Sequence, residues 1–401
     1  MTKATPEPTG FEQTHPRTRV IAGVDTHRRL PELLADLDAR TVFVVCGRTV
    51  GQGPQLAALR EVLGEAIVGV FDGIRPQAGM TPLADAAEAV KASGADAVLS
   101  LGGGAAIDTA KYLILLLSHQ YPLEEYRVPK GRGREGRPAR ALASTAHPHI
   151  AVPTTAGSSS EVMPWAGIRD EQHGEKVLFR DPLLVPDVAV LDPLLVVPTG
   201  PRLTATSGVT ALARAVEATY SRNRQPIADG YALQALHLLA TALPRSIEAG
   251  DDLAARGDAQ IGAMLSGIAA DNAMVSLVHS IGHAVGGRYA LQHGVAHRIF
   301  LAPVAGRLLP AAGRTLYRVA NALGVSARPD RDAPETVVPQ VTERLRAMLE
   351  PLPIPTSLRE VGVAKADLPE LAKATSVEPM MSYCPREVSL EEIEELLELC
   401  W

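Results

Sequence analysis

The sequence predicts an N-terminal α/β domain built on a parallel sheet over residues 19–196, followed by an all-α domain over residues 197–401. Three observations predict it. Short β-branched apolar runs alternate with segments of helical spacing as far as Leu191, the mark of strand–helix–strand units. Strand signals stop at Asp192-Pro193. Beyond that point the periodic segments have helical spacing, and 401 residues are enough for two domains. Residues 1–18 are polar and Pro-rich and read as a loose arm.

Taken in order, Arg19–Gly23 reads as a short strand and turn, and Leu30–Leu37 as a helix. Thr41–Gly47 is an apolar run ended by glycine, as expected of a strand buried on both faces. Leu56–Leu63 is helical, Ala66–Asp72 is a second strand, and Thr81–Ser93 opens with a Thr-Pro pair that favours a helix start. Ala95–Leu101 is a third strand, followed directly by Gly102-Gly103-Gly104 and a helix over Ala105–Leu117. His119–His147 is irregular, and its basic stretch Lys130–Arg137 reads as a solvated loop rather than a phosphate patch. His149–Pro153 is another strand, and Met163–Leu191 has hairpin character. In the second half, Thr204–Tyr220, Ala228–Leu243, Asp258–Val285, Ala311–Leu323, Glu335–Leu349 and Leu390–Leu399 read as helices.

Composition narrows the function. A net charge of −6 without a basic block argues against nucleic acid as a partner. No apolar run reaches the roughly 18 residues of a membrane span. Met1–Val20 lacks the apolar segment of a secretory signal. The three cysteines, Cys46, Cys384 and Cys400, have no CxxC spacing and fit a reducing cytoplasm.

The chemistry concentrates between Ser276 and His297, which holds four of the eleven histidines. His279 and His283 are four apart, as are His293 and His297, with a break expected at Gly286-Gly287. On a helix each pair shares one face, the usual way to offer two metal ligands or a ligand and an acid/base. One such histidine would read as a polar core residue; four in this pattern read as a site. Gly102-Gly103-Gly104, between strand and helix, lets backbone N–H groups approach a phosphate at the helix N-terminus. Thr154, Thr155 and Ser158 also follow a strand and could ring a diphosphate or a ribose, a polar turn being the equal alternative.

These pieces together resemble the group III, or iron-containing, alcohol dehydrogenase family across nearly the whole chain. The resemblance rests on Gly102-Gly103-Gly104 with Asp108 and Lys111, on Pro153–Glu161, on Leu191-Asp192-Pro193, on the paired histidines and on Pro385-Arg386 to Trp401. It implies an NAD(P)-dependent oxidoreductase with a dinucleotide-binding α/β domain, a dehydroquinate synthase-like helical domain and an active site in the cleft between them. A homodimer is implied as well.

The departures from the family are specific. Metal-using members read Gly-x-Asp-Ala-x-x-His-Ala-x-Glu in the first helix of the C-domain, where the Asp and His bind the metal. Here Thr210 replaces the Asp and Arg214 the His, while His279 and His293 match the other two ligand positions. That leaves two neutral imidazoles as ligands, and a guanidinium in a ligand's place repels a divalent ion, so no metal is expected. His293-Gly-Val-Ala-His297 is similar to the metal-free maleylacetate reductases, although Thr210 and Arg214 depart from that branch also.

Hydride transfer to a carbonyl needs a held cofactor, a stabilised alkoxide and a proton. Arg214 is expected to polarise the carbonyl or clamp a substrate carboxylate, with Thr210 and His293 lining the substrate. His283 matches the family's histidine near the nicotinamide and is expected to relay the proton, with His297 or His279 next. Lys176 and Asp108 match positions near the cofactor. An acid that would bond the ribose 2′-OH is replaced by Gly47, with Arg48 following, which favours NADP(H) over NAD(H). The expected function is metal-independent NAD(P)H-dependent reduction of an aldehyde, ketone or oxo acid. A metal-dependent alcohol dehydrogenase, a lyase or cyclase on the related scaffold, and a non-catalytic homologue are the alternatives.

Overall fold

The computed structural model describes residues 10–74, 81–129, 139–170 and 175–401, the side chains of Thr81, Pro82, Glu175 and Lys176 aside. Two compact units divide between Thr199 and Gly200, and the described residues before Pro16 group with the helical unit.

The α/β unit begins with β1 (Arg19–Ala22), α1 (Leu30–Asp36), β2 (Val42–Gly47), α2 (Arg48–Gly51), α3 (Pro54–Leu63), β3 (Ile67–Ile74), α4 (Thr81–Ser93) and β4 (Ala97–Gly102). It continues with α5 (Gly104–Ser118), β5 (His149–Pro153), β6 (Trp165–Asp170), β7 (Glu175–Arg180), β8 (Val188–Leu191) and α6 (Pro193–Val196). Six strands form a parallel sheet in the order β1-β8-β5-β4-β2-β3. Val42, Val44, Cys46, Leu99 and Leu101 join one core with α1 and α3, while Phe43, Val45 and Val98 join another with α4 and α5. Cover on both faces explains why β2 and β4 read as unbroken apolar runs.

The β6–β7 hairpin is antiparallel and outside the main sheet. It is stapled to α5. The Nζ of Lys111, fully buried, donates to the carbonyls of Met163 (2.6 Å) and Trp165 (2.9 Å). Asp108 Oδ2 accepts from the Gly167 N–H at 3.1 Å, and Tyr112 packs on Phe179 with centroids 5.2 Å apart. Asp192, also buried, caps α6 through Leu194 N–H (3.0 Å) and holds His27 Nδ1 at 2.6 Å. The Leu191-Asp192-Pro193 motif therefore ties the last strand to the start of the chain. The basic stretch Lys130–Arg137 lies outside the described residues.

The helical unit comprises α7 (Pro201–Tyr220), α8 (Pro226–Glu248), α9 (Leu253–Ala273), α10 (Leu277–Tyr289), α11 (His293–Leu308), α12 (Thr315–Ala322), α13 (Pro334–Leu349), α14 (Leu368–Ser376) and α15 (Leu390–Leu399). Residues 13–15 are not loose: Thr14 exchanges hydrogen bonds with Asn272 (2.7 and 3.0 Å), and His15 packs on Tyr231.

Two expectations are corrected here. Asp258–Val285 is not one helix: the chain bends by 101° between α9 and α10, with Met274 at φ 66°. No Gly or Pro marks that bend; it is set by a carboxylate from α7, described below. Gly286 and Gly287 do not break the histidine stretch either, since α10 runs through them and reverses at Ala290, φ 53°. A helix starting at His293 escaped the periodicity because α11 is buried on nearly all sides and has no polar stripe. Among the described residues no single helix is long and apolar enough to cross a membrane.

His149 supplies a test of the α/β core. It is buried at the start of β5 with Nε2 2.8 Å from Ser100 Oγ on β4, and burial, reinforced by Lys111, pushes its pKa down to about 3. An unfolded histidine takes its proton near 6.5. Between these values the unfolded state binds one proton more, so stability falls as pH drops from about 6.5 toward 3. His149→Gln should remove one proton's worth of that slope, about 1.4 kcal/mol per pH unit, in denaturant titrations between pH 6 and pH 4.

Candidate active site

In the α/β unit, β2, β4 and β5 lie side by side and end together at Gly47, Gly102 and Pro153. After β2 and β3 the chain crosses back so that β4 pairs on the other side of β2. That is the switch point at which open α/β sheets bind ligands beyond their carboxyl ends. Gly47, Arg48, Gly102, Gly103, Gly104, Thr154, Thr155 and Ser158 thus lie at or just beyond the carboxyl ends of these neighbouring strands.

Gly103 forms the N-cap of the 15-residue α5 without a side-chain cap, leaving that helix end to backbone N–H groups. A Cβ on Gly103 would stand 3.0 Å from Thr155 Oγ1, and one on Gly104 only 2.6 Å from Ser158 Cβ. The glycines therefore let the two loops close on each other. Thr154 N–H donates to the Gly102 carbonyl (3.1 Å) and Thr154 O accepts from Thr199 Oγ1 (2.7 Å). Asp108 faces the hairpin: its Oδ2 holds Gly167, and Oδ1 is buried with no hydrogen-bond partner among the described residues. Arg48 is exposed on α2. A carboxylate does approach from β3, because Asp72 Oδ2 lies 3.7 Å from the Cβ position of Gly51, and burial followed by Asp72 raises Cys46 to about 11. The side chain of Lys176 lies outside the described residues.

In the helical unit, α7, α10 and α11 bring the histidines together. A Cβ on Gly294 would lie 1.8 Å from the Thr206 carbonyl, so only glycine allows α11 to start against α7 and set His293 there. Ring centroids are 4.2 Å apart for His279–His297, 6.0 Å for His293–His297 and 5.2 Å for His283–His293.

Glu217, fully buried on α7, organises the deep end. Its Oε1 accepts from Ser276 N–H (3.2 Å), Ser276 Oγ (3.0 Å) and Val278 N–H (2.8 Å), which caps α10. Its Oε2 hydrogen-bonds His279 Nδ1. The Nδ1–H tautomer of His279 follows, with the Nε2 lone pair free. Burial holds His279 below its ordinary range against the pull of Glu217, with Arg214 pushing the same way as burial. His297 is held well below it by burial first, then by the neighbouring rings and Arg214. Both rings are neutral at pH 7. His297 is fully buried and both its ring nitrogens are unpartnered among the described residues; such groups are normally completed by water or a ligand.

Arg214 is buried on α7 and its charge reaches both rings. Thr210 donates its hydroxyl to the Thr206 carbonyl at 3.0 Å. His283 is half-exposed, with Nδ1 3.3 Å from Glu378 Oε2. Glu378 went unnoticed in the sequence because only the tertiary fold brings it to α10. Glu217 was readable, as a lone carboxylate in the buried run Ala211–Tyr220.

Two family descriptions match the chain: iron-containing alcohol dehydrogenase over residues 16–193, and the C-terminal part of the Fe-containing alcohol dehydrogenase family over residues 204–401. The chain belongs to the iron-containing alcohol dehydrogenase family. It is an oxidoreductase acting on CH–OH groups, from a family that uses NAD(P)H. It is 31% identical to lactaldehyde reductase of Escherichia coli K12 over 336 residues, 83% of this chain and 84% of that protein. It is 29% identical to NAD-dependent methanol dehydrogenase of Bacillus methanolicus, over 82% of this chain and 84% of that one. The solved maleylacetate reductase of Agrobacterium tumefaciens superposes with a TM-score of 0.78 at 28% identity, covering 99% of both chains.

Thr210 and Arg214 offer one bound hydroxyl and one cation, and among the described residues no group of three His, Cys, Asp or Glu is arranged to hold a metal.

Glu217→Gln should expose how much rests on the buried carboxylate. An amide cannot serve His279 Nδ1–H and the α10 N-terminus together, so stability should drop by about 2–4 kcal/mol. Thermal melts should show a clearly lower midpoint, and turnover should fall with it.

Proposed function

We propose that the enzyme reduces an aldehyde, ketone or oxo acid with NAD(P)H and does so without a metal ion. The observation that carries this reading is Arg214, a buried guanidinium beside two neutral imidazoles, in the position that the sequence resemblance matches to a metal ligand. A fixed positive charge in a dry site stabilises developing negative charge on oxygen. Arg214 therefore holds the carbonyl oxygen as it becomes an alkoxide, or a carboxylate of an oxo-acid substrate through its planar fork.

The dinucleotide is held by the α/β unit, with its diphosphate at Gly102-Gly103-Gly104 and the α5 N-terminus and its ribose by Thr154, Thr155 and Ser158. The bound nicotinamide supplies the hydride. Gly47 and Arg48 support NADP(H), and Asp72 nearby keeps NAD(H) acceptable. His283, half-exposed, transfers the proton; His279 and His297, sealed and neutral, shape the pocket with His293 and Thr210 and act as hydrogen-bond partners of substrate. The bond from Glu217 to His279 is also the type that orients metal-ligating histidines. It favours a metal-dependent dehydrogenase as the second reading.

Substitution separates the two. Arg214→Met should lower turnover by about 10²–10³-fold while cofactor binding, followed by nicotinamide fluorescence, stays within twofold. Thr210→Asp combined with Arg214→His should acquire a stoichiometric divalent metal that the native protein lacks, read by elemental analysis. Native protein that already holds one equivalent would favour the second reading.

A further inference from the structure

The two histidines of α10 have matching partners at the same ring atom. His279 Nδ1 is held by Glu217, and His283 Nδ1 stands 3.3 Å from Oε2 of Glu378. Their spacing puts both rings on one face of the helix, each with Nε2 as the remaining nitrogen. The pairs differ in access to water. Side-chain exposure is 9% and 0% for His279 and Glu217, but 37% and 26% for His283 and Glu378. Only the second pair can renew a proton from solvent without opening the core.

Glu378 is also built to hold still. Its N–H donates to the Thr375 carbonyl at 3.1 Å, and its own carbonyl accepts from Met381 N–H at 3.0 Å. Pro379 follows and keeps Glu378 extended, at φ −60° and ψ 135°. The short 3-10 turn Pro379–Tyr383 packs on α10. A carboxylate fixed in this way, on an imidazole that is itself a candidate proton donor, repeats the orienting arrangement of general acid/base sites.

We propose that Glu378 is the positioning residue of His283, accepting from Nδ1–H so that Nε2 is the atom that exchanges a proton with substrate oxygen. In the reductive direction the imidazolium gives its Nε2 proton to the alkoxide: the N–H bond breaks, the O–H bond forms, and the Nδ1–H tautomer held by Glu378 remains. The ring then regains a proton from solvent. This inference rests on the reading of His283 as the proton donor.

The first test needs no substrate. Long-range ¹H–¹⁵N spectra of full-length enzyme with ¹⁵N-labelled histidine should show neutral His283 as the Nδ1–H tautomer, and Glu378→Leu, which removes the acceptor, should shift it toward Nε2–H. A His283 signal unchanged by Glu378→Leu overturns the proposal. In turnover with NADPH and a carbonyl compound that the native enzyme reduces, Glu378→Gln should lower kcat about 10-fold with KM and melting midpoint unchanged. Glu378→Asp should recover most of that loss, and the loss should vanish in a His283→Gln background. A loss of the same size in that background would mean a merely structural role and would overturn the proposal. Native kcat in His283→Gln would overturn the underlying reading of His283; a loss there with native kcat in Glu378→Gln would overturn the positioning role alone.

Discussion

The buried carboxylate of Glu217 is the interaction on which the helical unit depends. A charge taken wholly out of water is tolerated only when its oxygens are filled by donors. Here one oxygen takes three donors at the start of α10 and the other takes His279. The same group thus starts α10 after the 101° bend and fixes the tautomer of the first histidine. Without it, Leu277–Tyr289 has no reason to begin where it does, and the i, i+4 pair would not present its Nε2 atoms to α11.

On that base stand the buried rings of His279 and His297. Desolvation is the largest influence on His279 and His297 and keeps both neutral. Arg214 adds a fixed charge, and Thr210 has turned its hydroxyl back onto its own helix. In the proposed reading, the charge of Arg214 opposes a divalent ion. An alkoxide or a carboxylate would meet a charge complement already in place. At the carboxyl ends of β4 and β5, Gly103 and Gly104 stand where loop meets loop.

Much of this was legible in the sequence. The parallel strands were, because cover on both faces leaves an apolar run such as Val42–Cys46 that periodicity detects. The histidine pairs and the glycine loop were legible from residue type and spacing. Three features were not. The bend at Met274 is imposed by a side chain 57 positions earlier in sequence, at Glu217. The helix His293–Leu308 has no polar face to betray its period. Glu378 reaches His283 across 95 residues, a contact that only tertiary packing creates.

The most direct test of the account is turnover of purified enzyme with NADPH and NADH, before and after exhaustive chelation, with metal content measured on the same samples. Unchanged turnover in protein holding far less than one equivalent of any divalent metal is the predicted result. Activity that disappears on chelation and returns with stoichiometric iron or zinc would contradict it, and would return His279 and His293 to the role of ligands.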